Sequence, residues 1–286
     1  KEVEELAGKE KVDFETELPL YDFQKVVAKF MVKTGSCLNA CSVGSGKTAM
    51  LLGTLNHLKA NNNLVIAPKS VLHQWKNEAN TFLPAMSVFV VEGKKRERLE
   101  IYKKFNTENK TKVLITSYEL ARIDIENLIL LGEYSSITCD EVHRLGNIFT
   151  KTRKAVKKLP TRHRYGLSAT PLMNSRISEL YGVIDWISPG SLGNFWEFCQ
   201  RYALRNRWGA IVESINTEEL TKKLSRHMIR KSLEEVGYQL PEKIFEEIPV
   251  VFSDKEKEFY DKIKKELLFE INKMDIDKLE NPMTLQ

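Results

Sequence analysis

The sequence predicts an α/β protein: a mostly parallel sheet with helices on both faces, followed by a helical appendage. Six short runs of β-branched and apolar residues recur through the first 170 residues, and segments of helical pattern, ten or more residues long, separate most of them. Such alternation means βαβ units, because parallel pairing needs a crossover of helix length. A chain of 286 residues, 42% hydrophobic and 29% charged, can bury one large core or two modest ones.

In chain order the runs are "SCLNACS", "NLVIAP", "MSVFVV", "KVLITS", "SITCD" and "YGLSAT". After residue 175 the rhythm stops. "RISELYGVIDWI", "NFWEFCQRYA" and "TEELTKKLSRHMIRKSLEEV" are expected to be helices, with turns at Ser188-Pro189-Gly190 and Arg207-Trp208-Gly209. "KIFEEIPVVF" has the pattern of a strand, and "SDKEKEFYDKIKKELLFEINK" that of a long charged helix with Ser253 as N-cap. The tail "DIDKLENPMTLQ" is expected to be loosely ordered. The expected organisation is an N-terminal extension (1–17), an α/β lobe (18–175), a helical appendage (176–240) and a connecting strand and helix (241–286).

Composition excludes several classes. No apolar run approaches the roughly 20 residues that cross a bilayer, so no membrane association is expected. Cys37, Cys41, Cys139 and Cys199 form no paired motif, which argues against a disulfide framework or a zinc site and for reduced packing residues. An intracellular protein is expected, and the start at Lys1 suggests a fragment or processed chain. Net charge is only +5, but residues 151–164 carry seven Lys or Arg and no acid, and residues 94–112 carry eight against three. Those runs are either solvated helix faces or polyanion contacts.

The chemistry concentrates in two places. In "NACSVGSGKTAM" a strand runs through a turn containing Gly44, Ser45 and Gly46 into a helix opened by Lys47 and Thr48. Glycines let backbone N–H groups approach phosphates, the helix N-terminus favours negative charge, Lys47 would reach the β and γ phosphates, and Thr48 would hold Mg²⁺. In "SITCDEVH" a strand ends in adjacent acids, Asp140 and Glu141, whose mutual repulsion makes the arrangement costly unless they have a task. Ligands bind at the carboxyl ends of parallel strands, so both segments can face one nucleotide. Asp140 would coordinate Mg²⁺, partly through water, and Glu141 would orient or deprotonate the attacking water.

"GSGKT", "DEVH" and "LSATP", in that order and each after a strand, resemble motifs I, II and III of superfamily two helicases and translocases. "LYDFQ", "IAPKSVLHQWKNEANTF", "ITSYELAR" and "LSATPLMNSRISELYGVIDWISPGSLGNFWEFCQRY" are similar to elements of the Swi/Snf-like ATPases, over residues 18 to 265. That family's loop commonly reads A-D-E-M-G-L-G-K-T. Here Cys41-Ser42 replaces the acidic pair and Val43 and Ser45 replace Met and Leu, which spares the phosphate ligands but puts in doubt any regulation through the missing acids.

The resemblance implies a RecA-like P-loop lobe that uses ATP and Mg²⁺, with Lys47, Asp140 and Glu141 catalytic. Gln24 would read the adenine edge. His143, Ser168 and Thr170 would couple phosphate state to the nucleic acid, and Lys69, Ser70, Thr116 and Ser117 would face its backbone. Trp75, Trp186 and Trp196 lie on apolar helix faces and are expected in the core. The expected partners are duplex DNA and a second RecA-like lobe, whose arginines complete the ATP site. This gives a DNA-dependent ATPase and translocase, cytoplasmic or nucleoid-associated, of bacterial or phage source. Two other readings share the nucleotide site: a strand-separating DExH helicase on DNA or RNA, and a non-catalytic nucleotide-responsive binding module.

Overall fold

A computed structural model describes residues 14–170, 177–205, 211–232, 235 and 252–273. It divides into two compact units, Lys1–Gln239 and Leu240–Gln286. The first unit is built on a seven-stranded, wholly parallel sheet in the spatial order β3 (Ser87–Val90), β4 (Lys112–Ser117), β2 (Asn62–Ala67), β5 (Tyr134–Asp140), β6 (Thr161–Leu167), β1 (Cys37–Asn39) and β9 (Met228–Ile229).

The elements follow the alternation of the sequence. After α1 (Asp22–Thr34) come β1 (Cys37–Asn39), α2 (Lys47–His57), β2 (Asn62–Ala67), α3 (Leu72–Phe82), β3 (Ser87–Val90) and α4 (Lys95–Thr107). Then follow β4 (Lys112–Ser117), α5 (Tyr118–Ile123), α6 (Ile125–Leu130), β5 (Tyr134–Asp140), α7 (Lys151–Lys157) and β6 (Thr161–Leu167). All six expected strands are present, and the two central ones are buried along nearly their whole length. Helices on both faces remove water from both sides of a parallel sheet, which is why "NLVIA" and "SITC" are continuous rather than alternating apolar runs.

Apolar runs of this kind leave register open, and polar pins close it. Asn63 faces Ser136 across β2 and β5, and the Ser136 hydroxyl donates to Asn63 Oδ1 at 2.7 Å. The Asn63 amide donates in turn to the carbonyls of Ala60 and Lys112, at 2.7 and 3.2 Å. A one-residue slip would leave these buried groups unpaired.

Beyond residue 175 the fold is only partly helical. α8 (Ile177–Ile187), α9 (Phe195–Tyr202) and α10 (Thr217–Leu224) appear, but a short antiparallel hairpin, β7 (Ala203–Arg205) and β8 (Ile211–Ser214), separates the last two. The helix expected over 217–236 ends at Leu224, and Met228–Ile229 becomes β9, pairing in parallel with Leu38 and Asn39. The hydrogen bonds of β1 decide this: Leu38 and Ala40 donate to the carbonyls of His227 and Ile229, both at 2.8 Å. Unpaired β1 amides cost more than a frayed helical turn gains. The residues of α8 to α10 share one core with β2, β4 and β5. The expected strand over 243–252 lies largely, and the turn at 207–209 and the tail entirely, outside the described residues.

Of the tryptophans, Trp75 and Trp186 are core residues at 3% and 0% exposure. Trp196 is not: it is 61% exposed, because the apolar stripe of α9 runs through Phe198, Cys199 and Tyr202 and leaves the second position of the helix outside. The four cysteines are free and buried. Burial pushes the Cys37 thiol up to about 12 and raises Cys41 and Cys139 as well, as expected of inert packing residues. In the second unit α11 (Asp254–Lys273) begins after Ser253, whose backbone N–H and hydroxyl both donate to Glu256, at 2.9 and 2.7 Å. No helix among the described residues is long and apolar enough to cross a membrane.

One buried ion pair braces the flank of the sheet. Arg98 on α4 makes a bidentate contact with Asp124, which also accepts from the Tyr102 hydroxyl at 2.9 Å. Burial alone would raise the Asp124 pKa, but hydrogen bonds from Arg98 and Tyr102 outweigh it and hold the carboxyl below its ordinary value. Asp124→Asn leaves the buried guanidinium without its counter-charge and is expected to cost about 3 kcal/mol in urea unfolding. A loss under 1 kcal/mol would show that the pair contributes little.

Candidate nucleotide site and adjoining groove

Every segment singled out for nucleotide chemistry leaves the sheet at its carboxyl edge. β1 feeds the glycine loop, β5 ends at Asp140, and β6, which lies between them, leads to Ser168. The Ser168 N–H donates to the Asn39 carbonyl at 3.2 Å, which ties this segment to the start of the loop.

The loop itself is made by backbone. Gly44 and Gly46 have φ of 77° and 78°, the left-handed region that favours glycine. At Gly46 a Cβ would also stand 2.4 Å from the Gln24 amide nitrogen. Gln24 is clasped there: its amide donates to the Ser45 carbonyl at 2.9 Å and its oxygen accepts from the Tyr21 N–H at 3.0 Å. Gln24 therefore props the loop. Lys47 donates to the carbonyls of Cys41 and Ser42, at 3.1 and 3.0 Å. Burial pulls its pKa below the ordinary lysine value, against the opposing pull of Cys41, Glu141 and Asp140. The buried Ser45 hydroxyl has no hydrogen-bond partner among the described residues. An ammonium, an orphaned hydroxyl and the first turn of α2 fit a phosphate chain.

Opposite lies the acidic pair. Asp140 is fixed at three points: Oδ1 accepts from the Glu141 N–H at 2.9 Å, Oδ2 from the Trp75 indole N–H at 2.9 Å, and its carbonyl from the Tyr118 hydroxyl at 2.6 Å. Glu141 has φ of 48°, strained for a residue with a side chain. That turn sets its carboxylate 3.3 Å from His143 Nδ1 and 3.5 Å from the Ser168 hydroxyl, while His143 Nδ1 lies 3.2 Å from the same hydroxyl. Glu141, His143 and Ser168 thus form one cluster. Thr170 joins it only through its backbone N–H, which donates to Ser168 Oγ at 3.2 Å. Among the described residues no group of three or more His, Cys, Asp or Glu could hold a metal by itself. A divalent cation between Thr48 and Asp140 would need phosphate oxygens to complete its shell.

A groove of about 610 Å³ opens beside this site, lined by Lys69, Ser70, Ser117 and Arg144 among others. Lys69 and Ser70 are exposed at the end of β2; Ser117 caps α5, accepting from the Leu120 N–H at 3.2 Å. Thr116 is not part of it. Its side chain is fully buried and its hydroxyl has no partner among the described residues, because it points into the sheet packing rather than off the strand end. Trp75 and Tyr118 were not distinguishable as site residues in the sequence: apolar periodicity assigns both to the core, and their polar tips find Asp140 only in three dimensions. Arg144 was equally hidden, and its guanidinium stands 5.6 Å from the Tyr118 ring centre.

The model of the SNF2-related domain matches residues 23–286. A putative ATP-dependent helicase/translocase, YwqA of Bacillus subtilis, is 32% identical over 239 residues, covering 81% of this chain and 25% of that protein. The ATP-dependent DNA helicase DDM1 of Arabidopsis thaliana is 34% identical over 166 residues, 56% of this chain and 22% of that one. Among solved structures, the Sulfolobus solfataricus SWI2/SNF2 ATPase core in complex with dsDNA superposes with a TM-score of 0.66 at 25% identity, covering 78% of this chain and 47% of the other. The chain thus spans about a quarter of the length of these curated relatives.

Proposed function

The chain belongs to the family of SNF2-related domains, and from that premise we propose that it is the ATP-binding first lobe of a motor that couples ATP hydrolysis to movement along duplex DNA. The observation that carries this reading is that one sheet edge bears both a phosphate-binding loop facing Asp140 and Glu141 and, immediately beside them, a groove lined by Lys69, Ser70, Ser117 and Arg144.

In this reading Lys47 leaves the Cys41 and Ser42 carbonyls for the β and γ phosphates, and the Ser45 and Gly46 N–H groups close around them. Gln24, already against the loop, reports adenine to it. Thr48 and, through water, Asp140 would hold Mg²⁺, which would supply neutralisation of the charge that develops on the phosphates. Glu141 positions the attacking water, and His143 with Ser168 transmits its state toward the groove. Lys69, Ser70 and Ser117 hold the phosphodiester backbone without reading sequence. A second lobe supplies the remaining positive charge.

The reading is tested by ATP turnover of the chain joined to a second lobe, with and without duplex DNA across a salt series, with Lys47→Ala as blank. Stimulation that fades steeply with salt is expected, as counterion release requires of phosphate contacts. Stimulation by RNA alone, or turnover indifferent to nucleic acid, would overturn it.

Trp75 makes a narrower prediction. Trp75→Phe keeps an aromatic ring but loses the pyrrole half of the indole, and with it the N–H that holds Asp140 Oδ2. A hydrogen bond to a charged group contributes about 1.5–3 kcal/mol, so the affinity for ATP with Mg²⁺ should fall about tenfold or more. Affinity measured in EDTA should stay unchanged. An equal loss in both conditions would mean that Trp75 supports the fold rather than the metal ligand.

A further inference from the structure

Three of the seven basic residues over 151–164 make ion pairs among the described residues. Arg162 pairs with Glu133, and Arg153, 2% exposed, and Lys157 both bind the single carboxylate of Asp185, each at 2.9 Å. Two guanidinium nitrogens of Arg153, Nε and Nη1, have no hydrogen-bond partner among the described residues. Lys154, on the same helix, is exposed and makes no ion pair among the described residues. All three cations line a cleft of about 460 Å³ between α7 and the α8–α9 turn, against the one carboxylate.

The other wall of that cleft is aromatic and uncovered. Phe149 is 57% and Trp196 61% exposed. They do not lie there as scattered surface residues. Phe149 packs edge-on against Phe195 at 5.7 Å and 87°, Phe195 against Trp196 at 5.1 Å and 70°, and Tyr181 supports Phe195 from below at 5.2 Å. Backing by the core holds two large rings in water at a cost that a soluble surface normally avoids. The edge-to-face packing makes a pit for one apolar side chain, not a row of open faces on which bases stack. The cleft shares no lining residue with the groove.

We infer that this cleft is a docking site for a segment of another protein, an acidic stretch carrying one bulky apolar side chain between its carboxylates. The apolar side chain sits among Phe149, Phe195 and Trp196, and the flanking carboxylates meet the exposed Lys154 and Lys157, while the buried Arg153 adds positive charge behind them that Asp185 only partly balances. Buried aromatic anchors contribute most to such contacts, and the lysines set on-rate and specificity.

The test is selection of a random twelve-residue peptide display library on the chain, with a single-stranded DNA oligonucleotide as a parallel probe. Enriched peptides should carry a bulky apolar residue flanked by at least two acids. Their affinity should fall tenfold or more with Trp196→Ala and with Lys154→Glu, and weaken with salt. Neither residue belongs to the nucleotide site, so ATP affinity and melting temperature should be unchanged in both variants, which separates loss of docking from loss of fold. No enrichment, enrichment without acids, binding insensitive to both substitutions, or Trp196-dependent binding of the oligonucleotide would each overturn the inference.

Discussion

Glu141→Gln is expected to bind ATP as tightly as the native chain and to lose 10²- to 10⁴-fold in DNA-stimulated turnover once the second lobe is attached. The substitution keeps the shape of the side chain and its reach toward Ser168 and His143, at 3.5 and 3.3 Å in the native protein. What it removes is the charge that, in the proposed reading, orients or accepts a proton from the attacking water. The strained φ of 48° at this position holds the carboxylate where it is, and an amide inherits that placement. Asp140→Asn is the contrasting variant: a weakened metal ligand should lower affinity only when Mg²⁺ is present. Equilibrium binding of a fluorescent ATP analogue, followed by single-turnover hydrolysis, separates the two effects. Turnover within threefold of native for Glu141→Gln would remove it from the chemical step.

The second large effect concerns stability. Gly182→Ala should lower the melting temperature by roughly 6–12 °C, the equivalent of about 3 kcal/mol for a domain of this size. A Cβ at Gly182 would stand 1.8 Å from the Gly146 carbonyl oxygen and 2.6 Å from its carbon, so backbone meets backbone and no side chain can rotate away. Two effects oppose. Alanine in place of glycine in a helix interior gains about 1 kcal/mol of propensity, whereas relieving the overlap requires α8 to move off the turn that follows Asp140 and Glu141. The clash wins, and the damage should reach the site, since Gly146 closes the short helix Val142–Leu145 that carries His143. An unchanged or raised melting temperature would mean that α8 can shift freely, and the close approach would lose its significance.

The legible parts of this protein are those in which neighbouring residues carry the whole signal. The turn of Gly44 to Thr48, the acids at the end of β5 and the six strands of the alternating region are local patterns, set by period, by glycine φ and by strand-end chemistry. Their order along the chain was sufficient to place both halves of a nucleotide site on one edge of a parallel sheet.

Tertiary structure decided what depends on a partner far away in sequence. Met228 and Ile229 form a strand because β1 has an open edge to satisfy, although the segment has a helical pattern. Thr116 turns inward by its position on β4, while Ser117, one residue on, caps a helix. Trp75 acts on Asp140 from 65 residues away, and Trp196 stays outside because α9 buries the opposite stripe. Gly182 is an ordinary weak point in a helical pattern until Gly146 is brought against it. The chemistry was written locally because catalysis needs particular atoms at fixed short spacings. Packing and coupling were not, because a buried polar tip or a bare backbone acquires its meaning only from the surface it meets.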